Sequence, residues 1–179
     1  GGQLVEEVDL LREDLDVVSD VGGSGVVQEF KDEGNNVLAV SVAINLATPP
    51  DLQVAAVTAP VSVVAGQNFT LSYQVINAGG DTPSDQGSWN DLVYLSKDRF
   101  LDIYKDSYVG YVSHAGGMLS GGNYDASLTV TAPRNLEGSY YVFVITDPAR
   151  AWGAGETGKV REFGKEQNNA TAALQPILI

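Results

Sequence analysis

Asp98, Asp102 and Asp106 recur at four-residue intervals in Ser96-Lys97-Asp98-Arg99-Phe100-Leu101-Asp102-Ile103-Tyr104-Lys105-Asp106, with Asp91 just upstream. A hairpin loop folding back on itself would bring these carboxylates around Ca²⁺, which accepts an irregular shell of oxygen ligands. The spacing is not that of an EF-hand, and Arg99 and Lys105 would offset part of the charge. The other reading is that these side chains accept backbone N–H groups and shape the turn. Glu162 and Glu166, beside Asn168 and Asn169, also have two readings. They bind a cation, or they hydrogen-bond the turn backbone that sets the register of the final strand. Trp89, Trp152 and Tyr104 offer flat faces suited to a sugar ring, and Trp152 lies in a Gly-rich stretch that favours exposure. Trp89 reads more readily as core. His114 lies near Ser113 and Ser120, but the sequence has no nucleophile elbow and no placed acid to orient an imidazole, which argues against a hydrolase.

The overall charge narrows the partners. Ten basic against 23 acidic residues give a net charge of -13, which repels phosphate backbones and anionic lipid while favouring hard cations, calcium above all. Nucleic acid is excluded as an expected partner, and no apolar run approaches the roughly 20 residues that a membrane span needs. Without cysteine and with one histidine, the chain has no disulfide or thiolate metal site and almost no route to structural zinc. Absence of cysteine suits export through an oxidising compartment. The start, Gly1-Gly2-Gln3, has no basic flank or signal core, so an export address is expected to have been removed or to lie outside this sequence.

Positioning these residues falls to short strands. Phe69, Leu71, Tyr73 and Val75 alternate with polar neighbours, the pattern of a half-buried strand. Further strands are expected from Leu52 to Val57, kinked at Ala59-Pro60 and resumed at Val61 to Val64, and around Trp89 to Leu95, Tyr108 to Val112, Tyr124 to Thr131, Ser139 to Thr146 and Thr171 to Ile179. With 20 Gly and 7 Pro punctuating them, they predict an all-β, immunoglobulin-like antiparallel β-sandwich. Only Leu4, Val8, Leu11 and Leu15 have a helical spacing.

The sequence also repeats itself. Val27-Gln28-Glu29-Phe30-Lys31-Asp32-Glu33-Gly34-Asn35-Asn36 matches Val160-Arg161-Glu162-Phe163-Gly164-Lys165-Glu166-Gln167-Asn168-Asn169 at an offset of 133 residues, and each copy leads into an apolar run. Val17-Val18-Ser19-Asp20 similarly matches Val144-Ile145-Thr146-Asp147. Residues 15–46 therefore read as the last two strands of a second module. The expected division is an N-terminal segment, 1–48, carrying these strands, then a complete sandwich at 49–179.

Several pieces in order resemble the cell-adhesion-related domain found in bacteria, CARDB. They are Pro50-Asp51-Leu52-Gln53-Val54, Ala65-Gly66-Gln67, Tyr73 to Gly79, Val93 to Asp98, Tyr140 to Asp147, and Glu162, Glu166 and Asn168-Asn169. The resemblance covers residues 50–179, and its ending alone covers 26–46. It departs from the family at the insertion Ala149 to Lys159. It implies an immunoglobulin-like sandwich used as a repeated, non-catalytic unit of extracellular or cell-surface proteins of bacteria and archaea. The expected partners are other copies of the module, in tandem or as separate subunits exchanging donor strands. The alternative expectation is a carbohydrate-binding accessory module that takes a surface glycan through Trp152, with calcium at the Asp98 loop.

Overall fold

The computed structural model describes residues 40–148 and 158–179. The chain divides into two units, Gly1–Asn45 and Leu46–Ile179. Of the first, residues 40–45 are described, exposed and without regular secondary structure. The helical spacing from Leu4 to Leu15, the Glu-Phe turn of the first repeat copy, Trp152 and most of the 149–159 insertion lie outside the described residues.

The second unit is a sandwich of two antiparallel sheets. Its strands are β1 (Leu52–Thr58), β2 (Asn68–Asn77), β3 (Ser88–Ser96), β4 (Ser107–Ala115), β5 (Asn123–Thr131), β6 (Ser139–Thr146), β7 (Ala170–Ala172) and β8 (Ile177–Leu178). One sheet runs β1-β2-β5; the other runs β4-β3-β6-β7, with β8 pairing further along β6. On β2 the sequence alternation becomes geometry: Phe69, Leu71, Tyr73 and Val75 are buried, while Asn68, Thr70 and Ser72 face water. They meet Trp89, Val93 and Leu95 of β3 and Val142 and Val144 of β6 in the main core.

Two expected strands take other forms. Val61 to Val64 makes a single parallel bridge, Ser62 to Leu178, with Val61 and Val64 exposed. Pro60 breaks β1 before it, since proline cannot donate to a ladder. The closing strand from Thr171 to Ile179 divides into β7 and β8 around Pro176, and Leu174 is left exposed between them.

A smaller cluster covers the outer face of the second sheet. Leu92, Tyr94 and Phe143 are buried there beneath Leu101 and Ile103 of the β3–β4 loop. β3 is consequently dry on both faces, and its residues from Asp91 to Ser96 are buried without alternation. At the other end of the sandwich, Asn77 ties loops together. Its Oδ1 accepts from the N–H groups of Asp51 and Gly79, each at 3.0 Å, and its Nδ2 donates to the Gly80 carbonyl at 2.6 Å. The chain from Thr48 to Asp51 crosses directly over Gly79 and Gly80, where any Cβ would strike the carbonyl oxygens of Pro49 and Thr48.

Candidate functional site

The four aspartates singled out for calcium are not gathered by the fold. Asp91 sits near one end of β3, while Asp98 lies past the other, roughly 20 Å away at about 3.3 Å per strand residue. Within the loop each carboxylate serves the backbone. Asp98 accepts from the Phe100 N–H at 2.8 Å, Asp102 from the Tyr104 N–H at 3.0 Å, and Asp106 from the Asp102 N–H at 2.7 Å. Lys105 pairs with Asp102 at 2.9 Å and holds its carboxyl below the usual range. These bonds bend the loop so that Leu101 and Ile103 reach the outer face of the sheet. Among the described residues, no three His, Cys, Asp or Glu side chains are arranged to hold a metal ion.

Asp91 belongs to a buried network instead. Its Oδ2 accepts from the hydroxyls of Tyr73 and Tyr124, both at 2.8 Å, and Tyr124 accepts in turn from Trp89 Nε1 at 3.1 Å. Burial pushes the Asp91 carboxyl up, against the pull of these hydrogen bonds and of His114. Burial and the carboxylate together push both tyrosines upward, so they remain protonated donors.

Three more carboxylates lie toward this end of the sandwich. Asp147 follows β6 with φ 41, and its two oxygens accept from the N–H groups of Lys159 at 2.9 Å and Val160 at 2.7 Å. A Cβ on Gly158 would collide with its carboxylate, so glycine is needed at that closure. Glu162 is fully buried; its Oε1 accepts from the Leu52 N–H at 2.9 Å, tying the 161–169 turn to the start of β1. Burial, with Glu166 and Asp147 adding like charge, pushes Glu162 up to about 8. Glu166 is also raised by burial and by Asp147, and its Oε1 accepts from the Glu162 N–H at 3.2 Å. The turn is anchored further by Asp51, which takes Lys165 at 2.9 Å and Asn168 at 2.8 Å. The turn-backbone reading of the sequence is met by Glu166, which bonds the Glu162 N–H, whereas Glu162 bonds the β1 backbone at Leu52 and Asn168 the Asp51 side chain. What the sequence did not reveal is that Glu162 and Asn169 are also buried.

Aromatic candidates separate. Trp89 is buried in the core, whereas Tyr104 is exposed on the β3–β4 loop, so they form no common platform. His114 is stacked between Trp89 and Tyr124, with both centroid separations 4.2 Å, and its Nε2 lies 3.2 Å from the Gly117 carbonyl. Ser113 donates to Asn90 and Ser120 to the Gly79 carbonyl, so neither hydroxyl engages the imidazole. Among the described residues no Ser–His dyad forms. Among the described residues no helix is long and apolar enough to cross a membrane.

A model of the CARDB family matches residues 49–173. No curated protein matches the chain. Among solved structures, the chain is similar to the CARDB domain of a Pyrococcus furiosus protein, crystallised in complex with di-metal ions. Identity is 18% and the TM-score 0.48, covering 79% of this chain and 100% of that one. A solution NMR structure of that domain gives 19% identity and a TM-score of 0.46, covering 72% and 95% respectively. A β-glucosidase from Erythrobacter marinus matches at 10% identity and a TM-score of 0.39, over 72% of this chain but 16% of that enzyme.

Proposed function

The chain belongs to the CARDB family of cell-adhesion-related, non-catalytic modules, and from that premise we propose that it is a building block of an extracellular adhesive surface structure, joined to further copies through terminal β-strands. One observation carries this reading. Val40, Val42, Ile44 and Leu46 alternate with smaller or polar residues, and Val40 and Ile44 are 67% and 65% exposed. The repeat offset of 133 residues places Val40 on Ala173 and Ile44 on Ile177. Those two residues are 4% and 0% exposed in the complete sandwich. Drawn into a strand, a segment with an apolar face of this register gains stability by burying that face against a second sandwich. Strand addition supplies main-chain hydrogen bonds for affinity and alternate side-chain pockets for specificity.

The register gives a sharp test. In sedimentation and negative-stain microscopy, the full chain is expected to form concentration-dependent oligomers, and residues 49–179 alone to stay monomeric. Val40→Asp with Ile44→Asp should abolish assembly, because both positions map to buried ones. Ser41→Asp should not, because it maps to Leu174, which is 80% exposed. Assembly indifferent to the Val40 and Ile44 substitutions, or a full chain that is monomeric at every concentration, would sink the proposal.

A further inference from the structure

Glu162, Glu166 and Asn169 carry buried polar atoms that the fold leaves under-satisfied, the Asn169 amide beside the Glu162 carboxyl being the one group to offset them. Glu162 is 0% exposed and Asn169 2%. Glu162 Oε2, Glu166 Oε2 and both amide atoms of Asn169 are buried without a hydrogen bond, although the other oxygen of each glutamate is engaged by backbone N–H. Burying a polar atom unpaired costs about 1–3 kcal/mol, and more when it is charged. Several such atoms within one short turn point to something that satisfies them together.

A proton on Glu162 is an incomplete answer. It removes one charge and lets the carboxyl donate to the Asn169 amide oxygen, but it leaves Glu166 Oε2 and the Asn169 NH₂ without partners. A water molecule would bridge oxygens, yet it leaves the like charges of Glu162, Glu166 and Asp147 in place. Of the nearby cations, Lys165 pairs with Asp51, and Lys159 acts on Asp147 rather than on Glu162 or Glu166. The sequence adds an independent observation. In the first repeat copy the same three types stand at the same spacing, Glu29, Glu33 and Asn36, while intervening positions change from Lys31, Asp32 and Gly34 to Gly164, Lys165 and Gln167.

We propose that Glu162, Glu166 and Asn169 bind a divalent cation of the Ca²⁺ type. Two carboxylate oxygens and an amide oxygen are hard donors suited to that ion, with water or main-chain carbonyls completing a shell that tolerates irregular geometry. Two carboxylates, not three, carry the site. The ion would clamp the 161–169 turn, already bonded to β1 through Leu52 and to β6 through the Asn169 carbonyl and Thr146 N–H, onto both sheets of the sandwich.

Calorimetric titration of the chelator-treated full chain with CaCl₂, together with thermal unfolding, tests this. Ca²⁺ should bind, and Tm should rise by about 10 °C when free Ca²⁺ is roughly a hundred times its dissociation constant. Glu162→Gln and Glu166→Gln should each remove one binding equivalent or weaken it at least tenfold. If Glu162→Gln does not fold, Glu166→Gln, at a less buried position, decides the matter. Asp98→Asn with Asp102→Asn should leave binding intact. No heat and no Tm shift with either Ca²⁺ or Mg²⁺ would overturn the proposal. So would binding that survives both glutamine variants, or binding lost only when the β3–β4 loop is altered.

Discussion

Asp91 sits where a carboxylate gains little by ionising. Its Oδ2 is bonded to two tyrosine hydroxyls and the Thr146 hydroxyl also favours the ionised form, yet burial outweighs all three. Because burial raises its folded pKa above the usual 3.8, the sign of its linkage follows. Below pH 3.8 Asp91 is protonated in both states and costs nothing. As pH rises further, the unfolded chain ionises first and stability falls, until the native pKa is reached. In Asp91→Asn the amide oxygen keeps both tyrosine bonds and the NH₂ donates to the Thr146 hydroxyl oxygen, so this loss disappears. Urea unfolding at pH 4, 6 and 8 should show the variant gaining on wild type as pH rises. Parallel profiles would refute the assignment. From sequence, Asp91 was grouped with the loop aspartates because strand β3 has no alternation to reveal which way it points. That alternation is erased by the outer cluster, a long-range effect that no local pattern can carry.

At the level of elements, the β3–β4 loop works as a lid of two apolar residues held in shape by three aspartates. Leu92, fully buried beneath it, should cost about 2–5 kcal/mol when replaced by alanine. Leu101→Ala, at a half-buried position on the lid, should cost only about 1 kcal/mol. Denaturant unfolding of the two variants checks the ordering, and equal costs would mean that the loop does not cap the sheet. The sequence showed the loop and its turn chemistry plainly, since Asp at two-residue reach of a backbone N–H is a local signal. It did not show the cap, because Leu101 and Ile103 among charged residues look like a solvated turn. β2 was legible for the opposite reason: one face is wet, so its period survives in the residue types. The closing strand was half legible; its apolar residues were evident, but Pro176 divides the ladder in two.

Across the whole molecule, β1 enters at the end of the sandwich held by Asn77 and Glu162, and β8 leaves at the other, where the Ile179 and Gly138 main chains bond each other. Between them lies the parallel bridge at Ser62, closed by Val63 N–H to the Leu178 carbonyl at 2.9 Å and Leu178 N–H to the Val61 carbonyl at 3.0 Å. In a tethered array, tension would enter through Thr48 to Asp51 and exit through Ile179. The two segments of this bridge would then be dragged past each other lengthwise, so its bonds must fail together rather than one after another. The module should accordingly resist stretching well beyond what its equilibrium stability suggests. Val63→Pro, which deletes one of those donors, is expected to lower the rupture force in single-molecule pulling. An unchanged rupture force would place the mechanical barrier elsewhere, in the β6–β8 pairing.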